Sequence, residues 1–101
     1  MKISMLDWYD IKAMTFDEIP DVIKYLNNIS NSSKRWRIAT KTELQDIFRE
    51  DKQNEIPLGN PVYWCSSTPD SHQAEGVSVS IGVSRVYNRT DELPVALVRE
   101  R

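Results

Sequence analysis

Two T-x-x-E boxes, Thr15 to Glu18 and Thr40 to Glu43, constrain this chain more than any other feature. In such a box the threonine hydroxyl and the glutamate carboxylate each take a backbone N–H that a starting helix leaves without a partner. Apolar residues flank both boxes, Met14 with Ile19 and Ala39 with Leu44, in the positions that fix how the chain enters a helix. After the first box, Ile19, Val22, Ile23 and Leu26 recur at the spacing of one buried helical stripe, which predicts a helix from about Phe16 to Asn28. Leu44, Ile47 and Phe48 predict a second, from Lys41 to about Glu50. Pro20 conflicts with the first helix, because deep inside a helix it costs about 3 kcal/mol; near the first turn the cost falls, and a kink is the expected trace.

The remaining segments read differently. Residues 1–14 mix apolar and aromatic side chains, compatible with a strand and a turn, and 27–33 is rich in Asn and Ser, as a surface loop is. Trp36 and Ile38 lie at strand spacing, and 51–61, polar with Pro57, Gly59 and Pro61, reads as a connecting loop. Val62 to Ser66 is β-prone, Val77, Val79, Ile81 and Val83 alternate with small or polar residues, and Val95 to Val98 is a last apolar run. Turns are expected around Gly82 and from Asn88 to Asp91. Helices first and strands afterwards indicate an α+β fold, two helices packed on an antiparallel β-sheet. With 101 residues, 40% of them hydrophobic, there is material for one core and not two, so 1–101 reads as a single domain.

Charge and cysteine content narrow the function. Thirteen basic against fifteen acidic residues give a net charge of -2 with no run of four basic residues, the opposite of a nucleic-acid footprint. The N-terminus meets Asp7 after a few apolar residues, too soon for a secretory leader, and no 18-residue apolar segment could cross a membrane. Cys65 is the only cysteine, so an internal disulfide is excluded and a reducing, cytoplasmic setting is expected. N-x-S/T triplets at Asn28, Asn31 and Asn88 then read as turn chemistry instead of glycan acceptors.

Catalytic constellations are weak. Ser66, Ser67, Asp70 and His72 are close in sequence, but triads are defined by spatial roles and no G-x-S-x-G elbow is present. Cys65, among Val62, Tyr63 and Trp64 with no neighbouring cation, reads as a buried small hydrophobe. One cysteine and one histidine cannot form a structural zinc site, so neither metal nor cofactor is expected. Paired acids such as Glu50 and Asp51 suit helix ends. Trp36 and Trp64 are expected in the core rather than on a sugar or base platform.

Four ordered motifs resemble a known family. W-R-I-A-T-K-T-E-L at Trp36 to Leu44, Y-W-C-S-S-T-P at Tyr63 to Pro69, the alternating Val77 to Gly82 and the closing Val95 to Arg99 are similar to the C-terminal domain of the Legionella collagen-like adhesin. That family carries W-R-L-P-T-x-x-E-L, Y-W-S-S-T, V-x-F-x-x-G and V-R-C-V-R in the same order. The resemblance spans about residues 14–99 and implies a C-type-lectin-like fold, related to the sulfatase-modifying-enzyme superfamily. Ala39 stands for the family's proline, Cys65 for a serine and Ala96 for an arginine. Two family cysteines match Leu26 and Leu97, so the resemblance implies that an apolar contact replaces a disulfide there.

The expected function is a non-catalytic protein-binding module acting in the cytoplasm, as a phage-encoded inhibitor of a host or defence protein would act in its host cell. Alternatives are an adhesin-like or virion-associated module for glycan or a surface protein, and a small hydrolase or thiol enzyme using Cys65 or Ser66 with His72. A protein partner is expected, glycan is the second candidate, and nucleic acid and membrane are not. Recognition is assigned to loops 50–61, 67–75 and 88–94, through Asp51, Asn54, Glu55, Asp70, His72, Gln73, Glu75, Arg89, Asp91 and Glu92.

Overall fold

The computed structural model describes residues 3–30 and 33–101. A 3₁₀ turn, Ile3–Met5, leads into strand β1, Leu6–Met14. A second such turn, Phe16–Glu18, opens helix α1, Ile19–Ile29, and the short strand β2, Arg37–Ile38, precedes helix α2, Lys41–Arg49. Strands β3 (Val62–Trp64), β4 (Gln73–Ser78), β5 (Ser84–Asn88) and β6 (Leu93–Glu100) follow. The triplet at Asn31 and the start of the leader reading, Met1 and Lys2, lie outside the described residues.

The two boxes behave differently. In the second, Glu43 N–H donates to Thr40 Oγ1 at 3.1 Å and Thr40 N–H donates to the Glu43 carboxylate at 2.8 Å, so α2 starts where its sequence says. In the first, Thr15 donates both its N–H (3.1 Å) and its hydroxyl (2.8 Å) to the Glu18 carboxylate, while Glu18 N–H goes to the Thr15 carbonyl at 3.2 Å. That closes a 3₁₀ turn before α1 begins. The expected helix from Phe16 to Asn28 is thus a turn followed by a helix that runs to Ile29, which places Asn27 and Asn28 in the helix and not in a loop. Pro20 falls in the first turn of α1, where its missing N–H has no intrahelical acceptor to lose.

The sheet order is β1-β6-β3-β4-β5, with β2 also paired to β6. All pairs are antiparallel except β3 with β6, where Trp64 faces Val95, so the expected antiparallel sheet is corrected to a mixed one. Parallel neighbours need a long connection, and residues 65–92, containing β4 and β5, supply it before β6 inserts between β1 and β3. The alternating run from Val77 to Val83 is not one strand. Gly82 turns the chain at φ 73°, Gly82 N–H donates to the Ser78 carbonyl at 2.8 Å and Ser78 N–H donates to the Val83 carbonyl at 2.9 Å. Val79 is buried, whereas Ile81 and Val83 are exposed.

Two apolar layers cover the sheet. Leu44 and Ile47 of α2 join Leu6, Tyr63, Cys65, Ala96 and Val98 in one; Ile19 of α1 joins Met14, Trp64, Val95 and Leu97 in the other. Neighbours in sequence alternate between the layers, as the two-residue period of a strand requires, and β6 is apolar throughout its middle because both of its faces are covered. Trp64 has no exposed surface, donates its indole N–H to the Met14 carbonyl at 2.8 Å and meets Phe16 and Tyr87 edge to face at 5.5 and 5.9 Å. Trp36 departs from its expected place in the core: it is half-buried at the margin, held by Asn27, whose amide bonds both the N–H (2.8 Å) and the carbonyl (3.1 Å) of Trp36. Leu26 packs against the layer that contains Leu97. The Cα radius of gyration, 12.9 Å, is that of one compact α+β unit of this length. Among the described residues no helix is long and apolar enough to cross a membrane.

Candidate functional site

The three expected recognition loops do not form one surface. Asn88 pairs with Gln73, Arg89 N–H donates to the His72 carbonyl at 3.1 Å, and the Arg89 guanidinium donates to the Asp70 carbonyl at 3.2 Å, so 70–73 and 88–91 are joined. Segment 50–61 enters the sheet at the other end of β4, where Val79 N–H donates to the Pro61 carbonyl at 2.9 Å.

Within these loops, several charged side chains are engaged by the chain itself. Asp51 stands at φ 54° just past α2, with its N–H on the Phe48 carbonyl (3.1 Å) and the Lys52 N–H on the Ile47 carbonyl (2.8 Å), a Schellman closure of the helix. Glu55 pairs with Lys52 at 2.8 Å, and Asn54 is exposed beside it. The Asp70 carboxylate accepts the His72 N–H at 2.7 Å, and Asp91 accepts that of Asn88 at 3.1 Å. Arg89 lies over the Phe16 ring at 5.1 Å and pairs with Asp17 at 3.2 Å, tying the loop to the start of α1. His72 and Glu92 are exposed.

Two expectations need correcting outright. Gln73 and Glu75 belong to β4 and not to a loop, because the ladder with β5 begins at Gln73. Glu75 pairs with Lys41 at 3.0 Å and accepts the Ser67 hydroxyl at 3.0 Å, and these partners, Lys41 foremost, hold its carboxyl below the ordinary range.

Cys65 is fully buried and its thiol lies 3.4 Å from the Glu75 carbonyl. Burial pushes the thiol pKa up, with the nearby Glu75 charge acting in the same sense, so the nucleophilic thiolate is disfavoured. Ser66 and His72 are exposed, and among the described residues no hydrogen bond links either Cys65 or Ser66 to His72.

Open grooves instead flank α1 on both sides. Between β1 and α1 runs a groove of about 470 Å³ lined by Tyr9, Ile11, Lys12, Val22, Tyr25 and Leu26, among others. The other flank of α1 carries one of about 440 Å³ over Phe16, Ile19, Ile23 and Arg35. Tyr9 also lines a cleft of about 410 Å³ with Trp8, Trp36, Pro57, Arg99 and Arg101. Arg99 and Arg35 both line a basic groove of about 370 Å³, closing the circuit. Tyr25 (61% exposed), Ile29 (60%) and Tyr9 (45%) stand out from this surface. These residues come from β1, α1 and the turn before it, the segment leading into β2, the loop before β3, and the end of β6, so no single sequence window contains them. One signal was present: Tyr25 and Ile29 widen the apolar stripe of α1 beyond what its core contacts use.

No protein-family model matches this chain, and no curated protein matches it at significance.

Proposed function

We propose that this chain is a protein-binding module of C-type-lectin-like architecture that engages its partner through the surface around α1. The observation that carries the reading is the exposure of Tyr9 and Tyr25, which line an open groove on regular secondary structure, with Ile29 exposed about one turn beyond Tyr25 on the same helix. Exposed aromatic and aliphatic groups of this kind, rimmed by charge, are what protein interfaces place at their centres. The lectin-like kinship is supported by the four motifs, by two helices leading into the run of strands, and by Leu26 packing on the layer of Leu97. A small rigid domain with such a face suits an inhibitor that acts by occupying another protein's surface, the setting in which a phage-encoded antagonist of a host or defence protein works.

The test is affinity capture from extract of the native cell, comparing wild type with Tyr25→Asp/Ile29→Asp. A specific protein should be captured by wild type and weakened at least about tenfold by the variant, with thermal stability unchanged because both side chains are exposed. Capture that survives this variant but is lost on charge reversal at Asp70, Asp91 and Glu92 would return recognition to the loops and overturn the assignment to α1.

A further inference from the structure

The basic groove has a composition unlike the rest of the molecule. Lys34, Arg35, Arg37 and Arg99 line it against a single acid, Glu100. In a chain with thirteen basic and fifteen acidic residues, that leaves nine cations against fourteen acids elsewhere. The concentration is made by folding: β2 pairs with β6, setting Arg37 opposite Val98, so two basic segments more than sixty residues apart in sequence meet on one edge of the sheet. Arg99 lines both this groove and the cleft of Trp8, Tyr9, Trp36 and Pro57, which also holds Asp7 and Glu55, so the basic groove runs into a cleft that has aromatic walls and its own acids.

Resting on the protein-binding reading, we infer that this groove takes an acidic stretch of the partner polypeptide, with an apolar side chain of that stretch seated in the adjoining cleft. The ligand chemistry is visible in the groove's own contacts. Arg37 holds Glu43 at 2.6 Å, Arg99 and Arg101 share Asp7 at 3.6 and 3.2 Å, and Lys34 reaches Glu100 at 3.9 Å, all of them carboxylates. Each of the Asp7 and Glu100 pairs has at least one solvent-exposed partner, and the Lys34–Glu100 pair is long as well, so each contributes little and an incoming carboxylate can compete for these cations. Among the described residues Arg35 makes no ion pair and is exposed beside them. A nucleic acid fits less well. Trp36 is covered by the Arg99 guanidinium at 4.3 Å and meets Tyr9 in a T-shaped contact at 5.7 Å, so both rings beside the groove are already engaged with each other or with a cation. The groove is also too short a cationic track to follow a phosphate backbone.

The probes are a fluorescein-labelled peptide of alternating Glu and Asp around one central Phe, the same peptide with Lys in place of the acids, and labelled oligo-dT. Each is titrated against the full chain by fluorescence anisotropy, at low and at near-physiological salt. The acidic peptide should bind, weaken with salt, and lose roughly tenfold in affinity with Arg35→Glu/Arg101→Glu. It should also weaken when the central Phe is replaced by Ser. Equal binding of the Lys peptide, tighter binding of oligo-dT, or indifference to the charge reversal would overturn the inference. Capture of the native partner separates this failure from that of the broader reading: if Tyr25→Asp/Ile29→Asp abolishes capture and Arg35→Glu/Arg101→Glu leaves it intact, the module binds protein but not through an acidic stretch.

Discussion

The phenol of Tyr63 has no exposed surface, accepts the Asn60 N–H at 3.0 Å, and is raised by burial to a pKa of about 12. Cys65, two residues on and in the same apolar layer, is raised by the same cause. Both groups bind their protons more tightly folded than unfolded. The stability they provide is therefore complete below the ordinary thiol and phenol values, about 8.5 and 10, and is lost as pH rises through them toward the folded values. Denaturant melts across the alkaline range should show this loss, roughly 3 kcal/mol at most from Tyr63 alone. Tyr63→Phe/Cys65→Ala should be less stable at neutral pH but flatter above it; an unchanged slope would refute the account. Arg89 illustrates the same scale from the opposite side. It has a recognition residue's charge, yet it bonds Asp17 and the Asp70 carbonyl within its own fold.

Among the elements, α2 shows how local chemistry sets both ends of a helix. Burial pushes the Glu43 carboxyl up, but Arg37 and the Thr40 cap outweigh it and hold it below the ordinary range. Glu43 therefore stabilises the fold above that range and less as pH falls through it. At the other end Asp51 occupies a left-handed conformation that glycine adopts without strain. Thr40→Ala should lower stability by about 1 kcal/mol, and Asp51→Gly should raise it by about 0.5–1 kcal/mol. Chemical denaturation of the two variants measures both, and the same sign for both would contradict this description of the caps. The start of α1 was less legible, because the Thr15 box closes a 3₁₀ turn ahead of the helix, a choice that T-x-x-E does not encode.

At the scale of the whole molecule, the proposed kinship makes a covalent prediction. Leu26→Cys/Leu97→Cys should oxidise to an intramolecular disulfide and gain about 2–4 kcal/mol over its reduced form. Mobility on non-reducing gels and thermal melts with and without reductant report it; failure to oxidise would count against the family reading. The presence of both helices, the apolar runs of β3 and β6 and the burial of Trp64 and Cys65 are legible in the residues alone, because caps, stripes and apolar runs act over a few residues. Tertiary structure alone decided that β6 lies between β1 and β3, that Gln73 and Glu75 join a strand, and that Trp36 sits at the margin. It also brought Lys34 to Arg37 beside Arg99, the groove assigned to an acidic stretch of the partner. Strand order and surface neighbours depend on pairings between residues distant in sequence, and the two-residue period of a strand says which face a side chain takes but not which strand lies beside it.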